Sequence, residues 1–292
     1  MTILQAIVLG IVQGLTEFIP VSSTAHLVFA SRAVGLYAGV DKTLQAEQTT
    51  ASIAVIQLGT LLAVLVYFAR DIVNITRAFV GDHLALLSRR PDSNKTLSHD
   101  AWMGWLVIIG SLPVGVVGLL FKKQIEGTFT KNLWVIATMM IVVALLLALA
   151  EKVGKRNRGM DQLGVVDALA VGGAQVLALV PGSSRSGSTI MGGLFAGETR
   201  EAAARFSFLL SIPAIAASGL LELKEALVKV PAGSYAALIV ATVVSGIVGY
   251  VSIWFLLRYL RTHSTGVFIF YRLIVGGLIL VALAAGYLSA AI

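Results

Sequence analysis

Five runs along this chain carry no charged residue for about the length that crosses a bilayer: 51–69, 101–121, 132–150, 235–257 and 273–292. A sixth, 206–221, is shorter and is flanked by Arg205 and Glu222. A helix rises ~1.5 Å per residue, so a hydrocarbon core ~30 Å thick needs ~20 apolar residues. The runs are apolar throughout and do not alternate, which excludes the strands of a transmembrane barrel. The pattern therefore predicts an all-α, polytopic membrane protein with six spanning helices.

Two other apolar stretches do not fit as spans. The first, 1–31, holds Glu17 and His26, and the second, 167–197, holds Arg185. After Glu17 the charge-free run 18–25 has only 8 residues, and after Arg185 the run 186–197 has 12. Each interruption carries a proline and a cluster of hydroxyls: PVSST at 20–24 and PGSSRSGST at 181–189. Proline removes a rung of the helical ladder and glycine loosens the backbone. Non-helical backbone at membrane depth is tolerated only within protein or beside a watery cavity. Each stretch is thus expected to enter as a helix, turn at a polar loop and return as a second helix. Shifted by 162, Gly10, Gln13 and Leu15 fall on Gly172, Gln175 and Leu177; Pro20, Ser22 and Ser23 need a shift of 161, so a one-residue slip is expected at the loop. Three spans follow each stretch, an odd number, so the second copy is inverted. The expected organisation is one membrane domain, 1–292, built from inverted repeats 1–150 and 160–292. Paired broken helices in such repeats place a site at the midplane.

Composition adds three points. There is no Cys, which excludes disulfides and thiolate metal sites. The first basic residue is Arg32, so the basic start of a secretory signal is missing. The net charge is +7, but the basic residues sit between apolar runs, where retention of loops in the cytoplasm explains them better than nucleic acid does. Of the Lys and Arg residues assigned to connections, 7 fall on the side of the N-terminus and 13 on the other. Arg185 reads as intramembrane and Arg272 as near a span end, so neither enters the count. The side with 13 is expected to be cytoplasmic and both termini outside.

Ionisable groups inside apolar segments are costly and are functional candidates. Here they are Glu17, His26, Arg185 and Asp167, the last near a segment start. A helix beginning in the second loop would aim its free N–H groups at an anion, and the Arg185 fork matches phosphate oxygens. The plainer alternative is a serine N-cap with Arg185 paired to a carboxylate such as Glu17; both can hold. Ser23 and His26, three apart, share a face if a helix begins near Ser22, as an activated nucleophile and its base would. Glu17 is placed to bind a divalent cation, orient His26 or balance Arg185. His83, His99 and His263 are expected in solvated loops.

The run QGLTEFIPVSSTAH at 13–26, with PGSSRSGST at 181–189, resembles the bacterial undecaprenyl-diphosphate phosphatase family, and the likeness extends over VIQLGTLLAVL at 55–65, RFSFLLSIP at 205–213 and YRLIVG at 271–276. The resemblance implies removal of the terminal phosphate from a polyprenyl diphosphate in the bacterial plasma membrane, regenerating a carrier for cell-wall precursors. It implies Glu17 as the second motif acid, Ser23 as nucleophile and His26 as its acid/base partner. Arg185, with Ser184, Ser186 and Thr189, would hold the phosphate. It also implies a divalent cation, magnesium or calcium, at Glu17. The first motif position is Gln13 rather than Glu, a weaker ligand. Expected partners are the lipid substrate and the bilayer, with a homodimer left open. A lipid-phosphate transporter is the alternative, because inverted repeats with broken helices also build transporters.

Overall fold

The computed structural model describes residues 1–87, 96–121, 124 and 132–290, without the side chains of residues 42, 220–222 and 224–227. The counted charges Arg89, Arg90, Lys95, Lys122, Lys123 and Lys131 lie outside the described residues. The described residues form helices with no strand. In chain order they are α1 (Ile3–Phe18), α2 (Ser23–Ala33), α3 (Lys42–Tyr67), α4 (Ala69–Leu87), α5 (His99–Leu120), α6 (Leu133–Val153), α7 (Val165–Gln175), α8 (Arg185–Phe195), α9 (Arg200–Lys229), α10 (Tyr235–Leu260) and α11 (Gly266–Ala284). Six are long and apolar enough to span a bilayer: α3, α5, α6, α9, α10 and α11. The protein is an all-α polytopic membrane protein.

The boundaries differ from the charge-free runs in two informative places. The last span begins at Gly266, not after residue 272, because Arg272 is fully buried within the bundle rather than at a membrane surface. Helix α4 was not anticipated. It has no buried residue and turns Val73, Val80, Leu84 and Leu87 outward, so its apolar positions do not mark a core helix. Its presence changes the reading of His83, which is half-buried, accepts from Trp105 Nε1 at 3.1 Å and stacks near Phe79.

Each broken stretch folds as a helix hairpin. Thr2 caps α1 through a capping box with Gln5, whose Nε2 also donates to Val34 O at 2.8 Å, so α2 returns beside the start of α1. In the second hairpin Gly192 of α8 lies against Ala170, Val171 and Ala174 of α7. Helix α1 packs on α10, and α7 packs on α5, in both cases through glycine. A Cβ on Gly10 would lie 2.6 Å from Ala241 O, and one on Gly172 would lie 2.1 Å from Gly110 O. Small residues let membrane helices approach backbone to backbone.

Helices α1 and α7 begin at Ile3 and Val165, and α2 and α8 begin at Ser23 and Arg185; both pairs are offset by 162. The slip expected at the loop is therefore absent. Ser22 matches Ser184, and both are N-cap residues with positive φ, 79° and 66°. The prolines alone are displaced by one position, because Gly182, with φ 94°, sits opposite Pro20.

Ion pairs sort the ends of the bundle. Arg200 and Arg156 meet Glu151, Arg205 meets Asp71, Arg261 meets Glu201 and Arg158 meets Asp167. All of these come from connections that the charge count places on the more basic side. Lys229 and Glu47 approach each other at the opposite end. Beside Asp167 lies Glu198, in the turn between α8 and α9, fully buried with neither carboxyl oxygen bonded. Burial first, then the Asp167 carboxylate, pushes its carboxyl up to about 8, against the pull of Arg158. A carboxyl raised in the folded state holds its proton where the unfolded chain has lost it, so its linkage term lowers stability as pH rises from about 4.5 to about 8. Glu198→Gln should flatten this slope and raise thermal stability at pH 9 relative to the parent in detergent. An unchanged slope would show that Glu198 is not held neutral.

Candidate active site

The two loops meet at a single ion pair. Arg185, the first residue of α8, donates through Nη2 to Glu17 Oε1 at the end of α1. Glu17 is buried and is also approached by Gln13 Nε2 at 2.9 Å, Ser23 Oγ at 2.9 Å and Gln57 Nε2 at 3.4 Å. Gln13 stands one turn before Glu17 on the same face of α1, which the i, i+4 spacing dictates. The carboxylate is thus fixed by four donors from α1, α2, α3 and α8. The other Arg185 terminal nitrogen, Nη1, is buried and has no partner. A buried guanidinium donor without an acceptor is expensive. A phosphate oxygen is the kind of acceptor that would complete it.

Ser23 and His26 are adjacent but not bonded to one another. Ser23 donates to Glu17, whereas His26 Nδ1 lies 2.7 Å from Ser22 O and Nε2 lies 2.6 Å from Tyr271 Oη. A carbonyl can only accept, so Nδ1 carries the proton and Nε2 faces the tyrosine. In the structure the Ser23 hydroxyl is bonded to Glu17 and not to His26. The helix begins at Ser23 and turns Ser23 toward Glu17, while one turn on His26 reaches back to the Ser22 carbonyl.

In the second loop Ser184 caps α8 by accepting from Gly187 N at 3.2 Å and lies 3.2 Å from Ser186 Oγ. The serine cap and the Arg–carboxylate pair both hold, and Arg185 Nη1 is left without a partner. Thr189 differs from expectation. It is fully buried, and its hydroxyl donates to Arg185 O at 2.8 Å and contacts Ser207 Oγ of α9. A hydroxyl turned back on its own helix ties α8 to α9 and does not face the loop. Ser22 Oγ and Ser188 Oγ are buried without partners. Both hydroxyls sit on the hairpins that meet at Glu17, Ser22 at the N-cap of α2 and Ser188 on the first turn of α8.

Three neighbours escaped the reading of the sequence. Gln57 is an uncharged residue in a span. Tyr271, 41% exposed, looks like an ordinary interfacial aromatic. Arg272 was set apart as a span-end charge; its place inside a helix of otherwise apolar residues was the available signal.

The donor set can be tested for a cation. Glu17 is one carboxylate, with the Gln13 amide on its face, and among the described residues no group of three His, Cys, Asp or Glu side chains gathers anywhere. Magnesium takes one or two carboxylates plus substrate phosphates. The residues do not form an all-protein cage, and a cation at Glu17, completed by phosphate oxygens, would have to displace some of the four donors now on its carboxylate.

Two hairpins joined by one Glu–Arg pair at their helix breaks, within a bundle of apolar spans, make a polytopic membrane protein. The chain belongs to the bacitracin resistance protein BacA family, which matches residues 6–278. It is 51% identical over 280 residues to an undecaprenyl-diphosphatase of Syntrophobacter fumaroxidans, covering 96% of this chain and 97% of that one. It is 46% identical to the undecaprenyl-diphosphatase of Mycolicibacterium gilvum over 99% of this chain and 100% of that one. The corresponding protein of Chloroherpeton thalassium is 47% identical, again over 99% and 100%.

Ser23→Ala and Glu17→Gln should each lower turnover by at least ~100-fold, the scale of a lost positioned nucleophile or base. If the two act as one unit, the double variant should be little worse than either single variant. Losses that multiply would separate Ser23 from Glu17.

Proposed function

We propose that this chain hydrolyses undecaprenyl diphosphate to the monophosphate and inorganic phosphate, regenerating the lipid carrier of cell-wall precursors. The observation that carries this reading is the partnerless Arg185 Nη1 beside a serine hydroxyl held on a carboxylate, in a chain whose relatives of nearly equal length are undecaprenyl-diphosphatases. Ser23 Oγ attacks the terminal phosphorus and passes its proton to Glu17. The bond from that phosphorus to the bridging oxygen breaks, releasing the prenyl monophosphate. Water then attacks the phosphoserine phosphorus; the Ser23 oxygen leaves and takes back the proton from Glu17, and the protons of the water depart with the inorganic phosphate. Arg185 Nη1 and the free N–H groups at the starts of α2 and α8 hold the charge that develops on the phosphate oxygens. His26, with Nδ1 fixed by Ser22 O, carries protons through Nε2. Glu17, with the Gln13 side-chain oxygen, would hold a divalent cation, magnesium or calcium, which would supply further neutralisation of the phosphate charge.

The hairpins are read as re-entrant, and the halves 1–150 and 160–292 as inverted repeats. The 162 offset of helix starts and N-caps supports this, as does the packing of α1 on α10 and α7 on α5. The chain sits in the bacterial plasma membrane with both termini outside.

Purified protein in detergent should release phosphate from a prenyl diphosphate, with rate rising on magnesium or calcium titration and falling with EDTA. No release would remove the phosphatase reading and leave the transporter, since hydrolysis needs no second compartment. Arg185→Lys should recover little of the activity lost in Arg185→Ala, because a point charge cannot reproduce the fork. For sidedness, the absence of native Cys makes each introduced thiol unique. Asn157→Cys should resist an impermeant maleimide in intact cells, and Ala232→Cys should react; the reverse would overturn the orientation.

A further inference from the structure

Arg272 is the largest side chain among those fully shielded from solvent, and its partners come from three separate parts of the fold. Its Nε donates to Met140 O at 3.1 Å and Nη2 reaches Met139 O at 3.3 Å, both on α6. Nη1 donates to Pro20 O at 3.3 Å in the first loop. Nη2 also donates to Gly182 O and Ser183 O in the second loop, each at 3.0 Å. All these acceptors are neutral carbonyls, and among the described residues no carboxylate lies within ion-pair distance of it. A buried cation without an anionic partner costs several kcal/mol in desolvation, and carbonyl dipoles offset only part of that. Apolar packing alone would be served by Leu or Met at this position. What only a planar fork can do here is grip two loops and a helix at once.

The loops it grips need holding. Ser22 and Ser184 are non-glycine residues at positive φ, a conformation sustained only where the surroundings over-determine it. The loop carbonyls bound by Arg272, of Pro20, Gly182 and Ser183, lie within two residues of those serines. The next residues in sequence are Ser23 and Arg185. The Glu17–Arg185 pair joins the loops on one side, and Arg272 joins them from another.

We propose that Arg272 is a positioning residue for phosphoryl transfer, fixing the helix that carries Ser23 against the helix that carries Arg185 by clasping the carbonyls of both loops. The proposal rests on the phosphatase reading. It assigns Arg272 no contact with substrate. A displacement of ~1 Å between reacting groups costs ~100-fold in rate, so its loss acts on turnover, not on substrate capture.

The test uses full-length protein in detergent and a prenyl diphosphate. Arg272→Lys cannot span the three sites; it should lower kcat ~100-fold while KM moves less than ~3-fold. Arg272→Ala should regain at least ~10-fold in added guanidinium chloride and nothing in sodium chloride. A structural readout runs beside these. With nitroxide labels on Ala33→Cys and Phe195→Cys, at the far ends of α2 and α8, the distance distribution should broaden on Arg272→Lys. Wild-type kcat in the Lys variant, a loss confined to KM, or an unchanged label distribution would overturn the proposal. Should Arg272→Lys fail to fold, the guanidinium response of the Ala variant decides by itself. An inactive parent protein would instead fail the phosphatase reading, and the label distances would still judge Arg272.

Discussion

A carboxylate and a guanidinium from two broken helices, brought together inside an apolar bundle, set the terms for everything around them. Glu17 and Arg185 are 168 residues apart in sequence, and neither is tolerable alone at that depth. Removing one partner of a buried pair typically costs about 3–5 kcal/mol, because the other charge is left stranded. Their meeting requires both helices to break at the same level. Pro20 follows the end of α1 and Pro181 follows the 3-10 turn Val176–Leu179 that extends α7, and Ser22 and Ser184 precede each second helix at positive φ. The break exposes helix N-termini, and it places Ser23 and Arg185 at the first position of their helices. Fold and chemistry therefore share one cause: the polar loops exist because the helices stop, and the helices stop where an anion can be held.

The pair is also incomplete by design of its geometry. Glu17 is saturated by Gln13, Ser23, Gln57 and Arg185, whereas Arg185 keeps one nitrogen without an acceptor. Buried orphan donors are rare in folded proteins. The asymmetry makes Glu17 the organiser of protein side chains and Arg185 the group that reaches beyond them. Under the proposed function, substrate phosphate is the acceptor that closes the network.

Much of this was legible in the sequence for plain reasons. Spans were visible because charge is excluded from hydrocarbon. The broken stretches were visible because Glu17, His26 and Arg185 interrupt apolar runs too short to cross. The partners within the site were less legible. Helix register near a break depends on which serine becomes the N-cap, and two serines adjoin in each loop. Ser22 rather than Ser23 caps α2, which sends the Ser23 hydroxyl to Glu17 and leaves His26 to Ser22 O and Tyr271. Thr189 reads as a phosphate ligand in a motif, yet its place on α8 turns it toward Ser207. Arg272 was misjudged because a charge near the end of a charge-free run resembles an interfacial anchor; only the tertiary fold shows the carbonyls that hold it. Helix α4 turns Ile72, Ile75 and Phe79 inward without burying any residue fully, and Arg70, Asp71, Arg77 and Asp82 keep it out of the charge-free runs.

The central claim is that the free nitrogen of Arg185, at the meeting of the two hairpins, takes the diphosphate. Equilibrium binding of a methylene-bridged, non-hydrolysable prenyl diphosphate analogue tests it most directly, without relying on turnover. The account predicts that Arg185→Gln weakens binding by at least ~10-fold, as loss of a charge-assisted hydrogen bond to phosphate would. Arg200→Gln, which loses only its pairing with Glu151 at the end of the bundle, should bind like the parent. Equal affinity in the parent and Arg185→Gln would contradict the account and move the anion site away from the helix breaks.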